Sequence, residues 1–314
     1  EIASCLVGSE MCIRDRSNSV RAIMQDKYGF LWIGTEEGLN RYDGIMIKSY
    51  SICPQAAGKY ISSLYGTKKN IWIGTDEGIY IYAYATETFT YFDLTTPNNV
   101  RITSIVNHIL QDKDGNLWFS TNGQGLFRYN LSKNYLEQYE FTSAFGIVAS
   151  TMADSDNQIW ALTNQGESGV YKLNKAENKF EPFGLLYNAG NHHSQALAML
   201  EDSEQTLWLG TWECGLQKID KYTRQTTTYL HPTDGKGVTH IHSLMEYAPH
   251  QLLIGSDDGL LLFNTLTEEY KLFTENETVP NSLSNRFVYP IIKDREGGIW
   301  IGTYYGGINY ISPN

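Results

Sequence analysis

SVRAIMQDKYGFLWIGTEEGLNRYDG, residues 19 to 44, decides how this chain folds. Val20 to Gln25 is a short apolar-rich run, and Asp26 to Gly29 supplies the residues that tight turns prefer. Leu31 to Thr35 forms a second run around Trp32. A Gly-containing turn then leads to a third run, Leu39 to Tyr42. An aromatic segment follows, so the spacing predicts four strands in about 45 residues.

The tryptophan phrase recurs. It reads IWIGTDEGIYIY at Trp72, LWFSTNGQGLFRY at Trp118, IWALTNQGESGVYKL at Trp160, LWLGTWECGLQKI at Trp208, LLIGSDDGLLLF at Leu253 and IWIGTYYGGINYI at Trp300. With Trp32 there are seven anchors, 40 to 48 residues apart. A period in that range, with four strands per unit, predicts an all-β, seven-bladed β-propeller of four-stranded antiparallel blades. A lone four-stranded sheet cannot bury both of its faces, so blades must stack. Trp32 and its equivalents then act as wedges between neighbouring blades. Glycines after the anchor, such as Gly34, suit a close backbone approach, and those of the next turn, such as Gly38 and Gly125, suit positive φ. Repetition specifies the scaffold; function belongs where the repeats differ.

Residues 19 to 44 resemble the two-component regulator propeller repeat, whose pattern is V-x-x-I-x-Q-D-x-x-G-x-L-W-I-G-T-x-x-G-L-x-x-Y-D. Weaker copies extend over residues 17 to 314. The resemblance implies a sensor propeller from the extracytoplasmic, periplasmic half of a hybrid two-component histidine kinase. It also implies an adjacent propeller, an immunoglobulin-like domain, a membrane helix, a kinase and a DNA-binding regulator beyond this chain, with a homodimeric parent as a further expectation. Many members control polysaccharide use, so an oligosaccharide or similar small polar ligand is the expected partner. The fourth unit, IWALTNQGESG, departs from the pattern by insertion, and the sixth lacks both Q-D and the tryptophan.

The 314 residues carry 24 basic and 35 acidic side chains, a formal charge of −11 that repels phosphate backbones and anionic lipid heads. Nucleic acid and direct membrane contact are therefore not expected of this domain. No apolar run approaches the ~20 residues of a membrane helix. Residues 1 to 16, EIASCLVGSEMCIRDR, follow no blade pattern and hold two of the four cysteines. They read as a non-native leader that pairs poorly or stays unstructured, which would leave the last blade incomplete. Residues 17 to 314 form the propeller.

For catalysis the sequence offers neither GxSxG nor HExxH, and no cofactor fingerprint. The chain is expected to be non-enzymatic, without cofactor or metal. His240 and His242, two apart, lack an evident third metal ligand. DKDGN, Asp112 to Asn116, resembles a calcium loop without its distal Glu and reads better as a turn. The loops after each G-T phrase vary most, and in a propeller they gather at one end. Trp212, Glu213, Tyr304, Tyr305, Asn122, Gln124, Asn164, Asp257 and Asp258 are the candidate ligand-binding residues: aromatic rings stack on sugar C–H faces while amides and carboxylates orient hydroxyls. The alternatives are a propeller-fold lyase or hydrolase acting at the axial pocket through carboxylates such as Asp257 and Asp258, and a protein-docking scaffold. Clustered His, Tyr or Arg with perturbed carboxylates would favour the enzyme.

Overall fold

The structure, a computed structural model, describes residues 6–11, 19–53, 59–141, 146–163, 169–184, 195–231, 237–276, 278 and 282–313. These residues form seven four-stranded antiparallel sheets and make a seven-bladed β-propeller. In blade 1 the strands are Val20–Gln25, Leu31–Thr35, Gly38–Tyr42 and Ile47–Tyr50, so the boundaries read from the repeat hold to within a residue. Blades 2 to 6 repeat this simple up-and-down order. Blade 7 has three strands of its own sequence, Val288–Lys293, Ile299–Thr303 and Ile308–Ile311. Leu6–Met11 lies antiparallel to the last of them and completes the sheet. That pairing is interrupted: Leu6 faces Ile311 and Val7 faces Tyr310, but the register shifts before Met11 meets Ile308.

The chain divides into two compact units. One comprises Glu1–Thr75, Tyr80–Thr90 and His242–Asn314, and the other Asp76–Ile79 and Tyr91–Ile241. Blades 6, 7 and 1 and most of blade 2 belong to the first, and blades 3 to 5 to the second. Within each unit the first strand of one blade lies against the first strand of the next.

Five of the seven anchors pack against the following blade as expected. Trp32, fully buried, packs with Ile61, Ile71, Ile73 and Tyr82 of blade 2. Trp118 packs with Val148 and Ile159 of blade 4, Trp160 with Leu207 and Leu209 of blade 5, and Trp300 with Val20, Ile23 and Leu31 of blade 1. Leu253 fills the same place against Val288 and Ile301. Truncating one such indole costs roughly 3–5 kcal/mol. At Gly34 the approach is as close as the sequence implies, since a Cβ there would stand 2.5 Å from Ile61 Cγ2.

One feature of the repeat goes beyond volume. The turn aspartate six residues before the anchor accepts the buried indole N–H: Asp26 from Trp32 at 2.8 Å, Asp112 from Trp118 at 2.8 Å and Asp154 from Trp160 at 3.0 Å. Asp202 and Trp208 do the same at 2.7 Å, and Asp294 and Trp300 at 2.8 Å. The other carboxylate oxygen caps the turn, as when Asp26 Oδ1 accepts the amides of Tyr28 and Phe30. Asp112 spends its carboxylate on Asn116 and Trp118, so DKDGN is a turn held from within.

Candidate functional site

In most blades the first strand carries a bulge near its start. Val20 pairs with Thr35 but Ala22 with Gly34, which leaves Arg21 unpaired; in blade 7, Val288 pairs with Thr303 and Ile291 with Ile301, which leaves Tyr289 and Pro290. Bulges re-aim side chains. Here they turn Arg21 and Tyr289 toward the loops that follow the G-T phrases.

In the first unit these residues form a continuous cluster across blades 6, 7 and 1. Arg21 donates from Nε at 3.1 Å and Nη2 at 2.6 Å to Glu36 Oε1, with its side chain 20% exposed. The guanidinium lies 4.4 Å from the Tyr304 ring, 4.9 Å from Tyr289 and 5.8 Å from Tyr60. Burial is the largest single influence and opposes its charge, yet the Glu36 hydrogen bond together with the electrostatic attraction of Tyr60, Glu36 and Tyr289 outweighs that cost and holds the group above its ordinary pKa. Tyr289 stacks on His242 at 4.1 Å and 13°, and His242 Nε2 meets Asp257 Oδ1 at 2.8 Å. Tyr304 extends the surface to Tyr305, edge-on at 4.3 Å, and Tyr305 meets Phe287 at 5.9 Å. Tyr305 is 61% exposed. The phenols of Tyr289 and Tyr304 are both pushed above their usual range, first by burial and then by nearby carboxylates, Asp257 for one and Glu36 for the other. They are hydrogen-bonding phenols rather than bases.

Of the residues expected from sequence, Tyr304, Tyr305 and Asp257 come together here. Asp258 adjoins them as a turn residue whose amide donates to Ser256 Oγ. Arg21, Glu36, Tyr60, Tyr289, His242 and Phe287 are additions. The signal that marks Arg21 and Tyr289 is the bulge, which a list of repeat-breaking loop residues overlooks.

The remaining candidates lie in the second unit or outside the described residues. Trp212 is half-buried and stacks on His240 at 3.6 Å and 25°, so one indole face is covered; Glu213 beside it is exposed. His240 and His242 thus serve different partners. Gln124 is a clamp: its Oε1 accepts the amides of Thr103 and Ser104 at 2.8 and 3.0 Å, and its Nε2 donates to Arg101 O at 2.9 Å. It also lines a hollow of about 210 Å³ with Gln138, Glu140 and Phe141. Asn122 is exposed, with its amide bound to Ile105 O. Asn164, and most of the inter-blade links 185–195 and 231–237 that could have contributed, lie outside the described residues. Among the described residues no group of three or more His, Cys, Asp or Glu could hold a metal ion, and no helix is long and apolar enough to cross a membrane.

Comparison with known proteins shows what the sequence and the fold are similar to. Residues 15–37, 100–123 and 282–305 match the sequence model of the two component regulator propeller. Histidine kinase P4 of Formosa agariphila is 24% identical over 277 residues, which covers 83% of this chain and 20% of that protein. The extracellular domains of two hybrid two component systems from B. thetaiotaomicron superimpose with TM-scores of 0.79 and 0.81, each at 25% identity. These matches cover 94% and 96% of this chain and 40% and 39% of theirs. This chain therefore spans about a fifth of the kinase and two fifths of those domains. Virginiamycin B lyase from Staphylococcus aureus, 14% identical with a TM-score of 0.71, shares the fold alone. The chain is thus a seven-bladed propeller, three segments of which match the two component regulator propeller model, and it is similar to the extracellular domains of hybrid two-component systems.

Proposed function

We propose that this chain is the non-enzymatic, ligand-sensing propeller of a hybrid two-component sensor, that it lies outside the cytoplasm, and that it recognises a carbohydrate fragment through the cluster around Tyr304 and Tyr305. The observation that carries this reading is the grouping of half-exposed tyrosines with Arg21, Glu36, His242 and Asp257 on consecutive blades. Rings offer faces to sugar C–H groups, while the paired charges offer fixed donors and acceptors to hydroxyls. A bound sugar would favour one arrangement of this propeller with the receptor's other domains, an adjacent propeller and an immunoglobulin-like domain, by its differential affinity for the two states. The kinase that reads out that shift belongs to the rest of the receptor.

Isothermal titration of the chain against neutral and acidic oligosaccharides tests the reading. Saturable binding that Tyr305→Ala and Tyr304→Ala weaken by about tenfold or more is expected, the scale of losing one aromatic stacking contact. A panel in which nothing binds, or binding indifferent to both variants, would refute it.

One observation favours a second reading, a lyase or hydrolase: His242, Asp257, Tyr289 and Arg21 are residue types used in acid–base chemistry. The raised phenols weigh against it, because a tyrosinate base needs the opposite shift. Chain cleavage of a polysaccharide by this protein, abolished by His242→Ala, would establish that reading instead.

A further inference from the structure

Arg286 differs from Arg21 in what answers its charge. It is exposed and lays its guanidinium 4.9 Å over the Phe287 ring, on the side of the cluster that ends in Tyr305. Among the described residues it makes no ion pair, whereas Arg21 is neutralised by Glu36. Its backbone is fastened in place. The Arg286 amide donates to Glu275 Oε2 at 3.2 Å, Asn285 Nδ2 donates to the same oxygen, and Ser284 is held from both sides by Asn309. The Phe287 carbonyl accepts the Tyr304 amide at 3.0 Å, which ties this segment to the turn bearing Tyr305. The turn sits tight against the segment, since a Cβ at Gly306 would stand 2.6 Å from Ser284 Oγ.

The geometry points to an anionic saccharide as the ligand, with Tyr305 stacking on the sugar ring and Arg286 pairing with a carboxylate or sulfate substituent of that residue or its neighbour. The inference rests on the carbohydrate reading above and narrows it. Three features support it. Phe287 brings the exposed ring and the uncompensated guanidinium to one spot. A guanidinium over an aromatic face is pre-organised, so little freedom is lost when it takes an oxyanion in its planar fork. A chain of net charge −11 gains nothing from long-range attraction to acidic glycans, so recognition of one must come from a local, directional cation such as this.

The test is a titration of the full chain with matched probes: oligogalacturonate, its carboxyl-reduced neutral counterpart, and a sulfated oligosaccharide of similar length. The inference expects an acidic probe to bind more tightly than the neutral one, with affinity falling as salt is raised. Arg286→Gln should cost that probe about tenfold or more, the scale of one charge-assisted hydrogen bond, while leaving neutral binding unchanged. Arg286→Lys should recover only part of the loss. Which acidic probe responds separates carboxylate from sulfate. If neutral and acidic probes bind alike, with loss on Tyr305→Ala but none on Arg286→Gln, the carbohydrate reading stands and this inference fails. If no probe binds, both fail.

Discussion

Replacing Asp26 with alanine measures what the recurrent aspartate contributes beyond the turn itself. Asp26 is 2% exposed and Trp32 fully buried. The substitution removes the acceptor of the indole N–H at 2.8 Å and of the Tyr28 and Phe30 amides at 2.9 and 3.0 Å. A buried donor left without a partner costs about 1–3 kcal/mol, and hydrogen bonds to a charged acceptor contribute about 1.5–3 kcal/mol each. Water reaches the amide of exposed Tyr28, and the cost of burying the carboxylate is relieved, so the net loss should be about 2–4 kcal/mol. That is a large share of the ~5–15 kcal/mol that holds a typical domain folded. Urea unfolding followed by tryptophan fluorescence and by circular dichroism reads the loss. A double-mutant cycle with Trp32→Phe, which keeps an aromatic side chain but removes the N–H together with part of the indole volume, cancels the volume loss common to both arms and isolates the indole bond, with an expected coupling of about 1–2 kcal/mol. Asp43 caps a turn in the same way, through the amides of Ile45 and Met46, but has no indole partner, so Asp43→Ala should cost less. A coupling below ~0.5 kcal/mol would mean that the aspartate recurs for the turn alone.

Other outcomes follow from the same packing. Gly34→Ala should destabilise the protein by about 1–3 kcal/mol through collision with Ile61, and because Ile61→Ala is itself costly at a fully buried position, the two losses should combine to less than their sum in the same unfolding assay. Burial lowers the pKa of His108 from 6.5 to about 4, so the unfolded chain binds its proton more readily. The stability this residue contributes is complete above pH 6.5 and declines as pH falls toward 4; unfolding measured across that window should show the decline, and His108→Gln should flatten it. Deleting residues 1 to 16 uncovers the edge of Ile308–Ile311, and light scattering should show increased self-association; a variant that stays monomeric would show that this edge is not a liability.

The scaffold was legible because each of its demands falls on a fixed place in the period. The wedge needs Trp or Leu, the close approach at Gly34 needs the absence of a Cβ, and the turn needs Asp and Gly. The indole–aspartate bond is also written in the sequence, as an interval of six residues constant in five blades, but the turn by itself already accounts for an aspartate at that place, so the interval alone does not reveal the bond. Blade 2 shows the same logic in the negative. Its turn, TKKN before Ile71, is a residue shorter and is capped by Thr67, whose Oγ1 accepts the Asn70 amide at 3.0 Å. The site was legible only in part. Tyr304 and Tyr305 stood out because they break the pattern, whereas Arg21 and Tyr289 sit inside a strand whose alternation hides them until one residue slips out of register. Gln124 broke the pattern too, yet its side chain is occupied with the backbone of residues 101 to 104.

By itself, the sequence settled the number of blades, the strand order of blades 1 to 6 and the positions of the wedges, since these depend on local periodicity and on side-chain volume at repeated positions; that Leu6–Met11 lies on the edge of blade 7 was decided by the tertiary structure. Tertiary structure decided which variable residues meet, because that depends on bulges and on contacts between blades some 45 residues apart in sequence. It also decided which cation is already answered: Arg21 and Arg286 are the same residue type, and only the fold places a carboxylate against the guanidinium of the first.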